Sequence, residues 1–95
     1  INSIGRNKMS QNSFIVYGKT QCSNCETVKQ MLGFKQIKFV YKSVPEDLSV
    51  KDFSIVMEAF GVFPRSFPQI VMIDSETNVA SYVGGLQELV AELKK

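Results

Sequence analysis

The 95-residue sequence contains no histidine and no tryptophan, has only two cysteines, and shows no apolar run near the roughly 20 residues that cross a bilayer. Each shortage excludes a class of chemistry. Without histidine there is no imidazole acid–base catalysis and no His-containing metal site. Two cysteines cannot complete a four-thiolate zinc site, so no metal is expected. They are also too few to staple a disulfide-rich secreted scaffold. They read instead as reduced thiols in a cytosol-like compartment or as a redox couple, and a cytoplasmic protein without a membrane span is expected. Charge of one sign is scarce too. The formal net charge is +2, with 11 basic and 9 acidic residues. Arg6 and Lys8 supply all of that excess, in an opening of eight residues that is polar and aperiodic. Residues 1–8 therefore read as an appended expression leader ahead of a natural start at Met9, and residues 9–95 as one domain. The balanced remainder gives no support for a nucleic-acid partner.

What is present is a regular succession of short apolar segments. Phe14-Ile15-Val16-Tyr17 is β-prone and apolar without interruption, as in a strand covered on both faces, and it stops at Gly18. A helix is expected over Ser23–Leu32, with Cys25, Val28, Met31 and Leu32 on one face, Lys29 on the exposed side and Gly33 as the residue that ends it. Ile37–Lys42 alternates, with Ile37, Phe39 and Tyr41 on one side of a second strand. Ser49 is placed to cap a second helix with the stripe Val50, Phe53, Val56, Met57 and Phe60, which Gly61 ends. Ile70–Ile73 and Val79–Val83 are strands joined by the polar turn 74–78. After Gly84-Gly85 a last helix carries Leu86, Leu89, Val90 and Leu93. The order βαβαββα gives an α/β thioredoxin-like fold: a mixed four-stranded sheet with helices on both faces. Its first two strands are parallel through a right-handed crossover, and its last two form a hairpin.

Cys22 and Cys25 fall between the first strand and the first helix, three residues apart, so both sulfurs lie on one side of a helical turn. Core thiols, a structural disulfide and a metal site remain readings of any such pair, but its place at a helix start favours redox work. Unpaired N–H groups and the helix dipole there favour the thiolate of Cys22. Lys19 lies just upstream and can add positive charge. Cys25, on the apolar stripe, is expected to be buried. Cys22 is thus the attacking thiol and Cys25 the resolving one.

From Phe14 to Leu93 the chain resembles the glutaredoxin family, in particular its small bacterial and phage dithiol members. Four segments carry the likeness: Tyr17-Gly18-Lys19-Thr20-Gln21-Cys22-Ser23-Asn24-Cys25, Arg65-Ser66-Phe67-Pro68, Tyr82-Val83-Gly84-Gly85, and Leu86-Gln87-Glu88-Leu89. The resemblance implies a glutathione-dependent oxidoreductase that reduces protein disulfides or glutathione mixed disulfides. Its clients would include ribonucleotide reductase, and a monomer is expected. It implies a cis peptide before Pro68, with the Phe67 backbone pairing with glutathione. Lys19 and Arg65 would meet the glycine carboxylate of glutathione, and Gly85, Leu86 and Gln87 its γ-glutamyl end. The sequence departs from the family pattern in four places. Ser23 and Asn24 replace Pro and Tyr between the cysteines, Phe67 replaces a valine, and Gln87 stands where many members have an acid. Those departures keep two alternatives open, a redoxin fed by thioredoxin reductase and a module binding an iron–sulfur cluster through glutathione. A redox-inert interaction domain is a third.

Overall fold

The computed structural model describes residues 12–94; the expected leader at residues 1–8 and Met9 lie outside the described residues. Seven elements follow in order: β1 (Ser13–Gly18), α1 (Ser23–Phe34), β2 (Phe39–Ser43), α2 (Val50–Ala59), β3 (Gln69–Ile73), β4 (Ala80–Gly84) and α3 (Leu86–Leu93). They make one four-stranded sheet in the order β2-β1-β3-β4. β1 runs parallel to β2, in register Phe14 with Phe39 and Tyr17 with Lys42. It runs antiparallel to β3, which pairs antiparallel with β4. This is the thioredoxin-like fold expected from the order of the elements.

The central strands explain the uninterrupted apolar runs. Phe14 and Val16 of β1 and Ile70 of β3 face one side and pack with Val28, Leu32 and Leu89 from α1 and α3. Tyr17 and Val71 face the other side and pack with Phe53 and Met57 of α2. Alternate residues of a strand point to opposite faces, so a strand covered twice needs apolar residues throughout.

Two helix ends obey the same rule with different residues. At the end of α2, Gly61 takes φ +74°, and the N–H groups of Gly61 and Val62 donate to the carbonyls of Glu58 and Met57 at 2.8 and 3.0 Å. This left-handed closing turn is the one expected at Gly61. The expectation for Gly33 is overturned. The α1 helix runs through Gly33 to Phe34, and Gln36 takes the left-handed turn at φ 59°. The Gln36 and Ile37 N–H groups then donate to Gly33 and Leu32 at 3.0 and 2.9 Å. Ile37 is thereby spent on the helix end, so β2 starts at Phe39 and not at Ile37. β4 is displaced by one residue as well, to Ala80–Gly84, with a register shift between Ile70 and Val71 of β3. The preceding turn is closed by Asp74, whose Oδ1 accepts the N–H groups of Glu76 and Thr77 at 2.8 and 3.0 Å. Those bonds hold the Asp74 carboxyl below its usual range.

Candidate functional site

β1 ends at Gly18, where a side chain would run into the Tyr41 ring. The chain then turns through Gln21 at φ 55° and enters α1 with Cys22 as its N-cap. The Cys22 Sγ accepts the N–H of Cys25 at 3.2 Å, in the place a serine or aspartate oxygen takes at other helix starts. The two sulfurs are joined as a disulfide, with the Cα atoms 5.3 Å apart. Cys22 is half-buried and Cys25 is fully buried, the placement expected of a residue on the apolar stripe. Lys29 departs from the exposed placement expected of it. It is half-buried, pairs with Glu26 at 3.0 Å, and sets its ammonium 4.2 Å over the Tyr41 ring.

The Phe67–Pro68 peptide is cis, as the resemblance implied; so is Val44–Pro45 after β2, which nothing in the sequence singled out. Behind the Phe67–Pro68 turn lies a buried polar brace. Gln69, buried at 5% exposure, donates from Nε2 to the Ser66 carbonyl at 2.8 Å and accepts the Tyr82 hydroxyl at Oε1. The neighbouring double glycine approaches the same turn. Gly84 has φ +128°, and a Cβ there would meet the Glu88 side chain at 2.8 Å; one on Gly85 would lie 3.5 Å from the Pro68 carbonyl oxygen.

Two hollows flank this turn. A smaller one of about 290 Å³ is lined by Asn24 from the dithiol loop, by Phe67 and Pro68, and by Gly85, Leu86 and Gln87. A larger one of about 480 Å³ lies toward α2 and takes in Lys19, Arg65 and Phe67. The residues expected to hold glutathione are thus divided. Phe67, Pro68, Gly85, Leu86 and Gln87 share one hollow, Lys19 and Arg65 belong to the other, and Phe67 is the wall between them. The Phe67 ring stacks on Phe53 with centroids 5.2 Å apart, and the Lys19 ammonium stands 5.9 Å from it.

Two residues of the site escaped the sequence reading. One is Gln69. The other is Glu88, which lines the smaller hollow and accepts the Gly85 N–H at Oε1, 2.9 Å away. Its signal was the acid three residues after a helix N-cap, the half of a capping box that a glycine cap permits. Glu88 also places negative charge near Tyr82, adding to burial in raising that phenol's pKa.

A thioredoxin-fold sheet carrying a Cys-x-x-Cys pair at a helix start defines the class to which this domain's architecture conforms. Solved structures make the likeness more particular. The chain is similar to glutaredoxin 1 from Francisella tularensis complexed with cacodylate, at 21% identity and a TM-score of 0.62, covering 87% of this chain and 93% of that one. It is also similar to a wheat glutaredoxin at 18% identity and a TM-score of 0.55, covering 98% and 84% respectively. Neither the protein-family models nor the curated proteins yield a match to the sequence. The fold is that of the glutaredoxins.

Proposed function

We propose that the protein is a thiol–disulfide oxidoreductase of the glutaredoxin family that reduces protein disulfides or glutathione mixed disulfides with electrons from glutathione. The observation that carries this reading is Cys22 capping α1, its sulfur on the Cys25 N–H, with Asn24 of the same loop sharing a hollow with Phe67 and Pro68. A helix N-terminus favours the thiolate, which is the attacking species. The Cys22 thiolate attacks a client sulfur, forms a mixed disulfide and releases the client's other sulfur as thiolate. Cys25 then attacks the Cys22 sulfur, frees the client and leaves the Cys22–Cys25 disulfide. Two glutathione thiols restore the dithiol and leave as glutathione disulfide.

The smaller hollow suits the γ-glutamyl end of glutathione. Leu86 opens α3, whose N-terminus favours a carboxylate. Gln87 carries no charge, but the Glu88 carboxylate one residue on supplies an anion for the ammonium group. That anion favours glutathione as reductant over thioredoxin reductase. Lys19 and Arg65 provide cations for the glycine carboxylate. The protein acts as a cytoplasmic monomer, and ribonucleotide reductase is a client of the fitting kind.

The test is disulfide reduction coupled to glutathione, glutathione reductase and NADPH. The wild type turns over, Cys22→Ser falls to background, and Cys25→Ser retains activity on glutathione mixed disulfides while losing it on protein disulfides. A wild type active only with thioredoxin reductase would refute the choice of electron donor. Full activity in Cys22→Ser would refute the mechanism.

A further inference from the structure

The larger hollow has walls that glutathione has no means to cover. Glutathione carries no apolar side chain, whereas this hollow is floored by Phe53 and walled by Val50, Val62 and Phe63. Val50 and Phe63 are 61% and 77% exposed, large apolar residues left in solvent on the rim of one concavity. Isolated exposed apolar residues are ordinary, but a contiguous apolar hollow rimmed by charge marks a binding surface. The rim charge has a sign. Lys19 and Arg65 line it against the single carboxylate of Glu58, and neither cation forms an ion pair among the described residues. The hollow also shares Ser66 and Phe67 with the smaller one beside the dithiol. An occupant continuous with a disulfide at Cys22 can therefore reach it.

We infer that this hollow is the docking site for an extended segment of the disulfide-bearing client, one that places an aromatic or branched apolar side chain beside an acidic residue. The apolar side chain fills the space between Val50, Phe53 and Phe63, and the acid lies between Lys19 and Arg65. This deepens the oxidoreductase reading by naming the client's chemistry, and it rests on that reading for its biological meaning. Binding itself needs no redox step. Both clefts meet at Phe67, and Lys19 and Arg65 serve two ligands in turn. They hold the client's acid while the client is docked, with any attached glutathione held only by its γ-glutamyl end in the smaller hollow. Once the client has left, they hold the glycine carboxylate of glutathione.

The test separates the two ideas by measuring binding without chemistry. The probe is a blocked, fluorescently labelled peptide, Ser-Gly-Phe-Asp-Gly-Gly, titrated into the Cys22→Ser/Cys25→Ser double variant by anisotropy. Saturable binding is expected. It weakens about tenfold when Phe63→Ser is added, the loss that follows withdrawal of roughly 50 Å² of apolar contact. It weakens similarly when the peptide's Phe becomes Ala, and less when its Asp becomes Asn or when salt is raised, because rim charges are screened. In redox-competent protein, Phe63→Ser raises KM for the same peptide carried as a glutathione mixed disulfide at a Cys in place of its Ser. It leaves KM for the mixed disulfide of glutathione and 2-mercaptoethanol within twofold. Absence of binding, or equal binding by the Phe and Ala peptides, overturns the docking site even if the enzyme is active. An equal rise in both KM values also overturns it, by making the apolar wall at Phe63 part of the glutathione site. Peptide binding in a protein without reductase activity leaves the docking site standing and removes the catalytic reading instead.

Discussion

On one face of the sheet, Val16, Val28, Leu32, Ile70 and Leu89 are wholly withdrawn from solvent beneath two helices. On the other, Tyr17, Phe53, Met57 and Val71 are buried beneath one helix, while Phe60, Phe67 and Tyr82 are only partly covered. The first face is largely aliphatic. The second is largely aromatic. Its rings meet tilted or stacked at centroid distances of 5.2–6.4 Å, between Phe53 and Phe67, Tyr17 and Phe53, and Phe60 and Tyr82. The difference divides the labour. The sealed face fixes α1, and with it the dithiol, to the sheet. The open face leaves a hollow beside that dithiol.

Truncating a side chain on each face should have very different consequences. Leu32→Ala, in the sealed face, is expected to cost about 2–5 kcal/mol in urea unfolding. Val62→Ala, on the wall of the open hollow, is expected to cost less than about 1 kcal/mol, because that side chain is only partly withdrawn from water. Equal costs would contradict the division into a sealed and an open face. Next in size is Gln69→Leu, which leaves the Ser66 carbonyl and the Tyr82 hydroxyl without their partner. A loss of about 1–3 kcal/mol is expected. A neutral result would show that the brace behind the cis turn does not hold it.

Smaller effects test the edges of the two faces. Ser49 Oγ accepts the Asp52 N–H at 3.0 Å, so Ser49→Ala removes the cap of α2, the helix that walls the hollow. About 1 kcal/mol of stability should be lost with the dithiol chemistry unchanged. The smallest effect lies at the turn between β3 and β4. The folded pKa of Asp74 is lowered from 3.8 by the Thr77 and Glu76 N–H groups, so its contribution is present above the unfolded value and fades as pH falls through the lower folded one. The wild type should therefore be slightly more stable than Asp74→Asn at pH 6, with the gap closing below about pH 3.8 in thermal melts. A gap that widened on acidification would have the wrong sign.

Much of this arrangement was legible along the chain, where one residue type has one physical use. The uninterrupted apolar run of β1 announced a strand covered twice, Ser49 announced its cap, and Gly61 its closing turn. The dithiol's place at a helix start followed from the strand before it and the stripe after it. The misplacements arise where a residue type does not signal its conformation. Gln36 supplied the left-handed turn that Gly33 was expected to supply, and that took Ile37 out of β2. Val79 is β-branched like a strand residue, but its carbonyl accepts the Asp74 N–H that closes the turn, so β4 begins one residue later than expected, at Ala80. The division of Lys19 and Arg65 from Gly85, Leu86 and Gln87 depends on where the Phe67 ring points, which is settled by Phe53 across the chain. Gln69 looked like a polar residue at a strand start, and only its burial revealed the brace.

Everything proposed for the chemistry rests on Cys22, capping α1, being the attacking thiol. Alkylation of the reduced protein by iodoacetamide across pH, with the modified residue identified by mass spectrometry, tests it most directly. Selective modification of Cys22 is expected, with an apparent pKa below the free-thiol value of about 8.5. Preferential modification of Cys25, or a Cys22 titration at or above the free-thiol value, would contradict it.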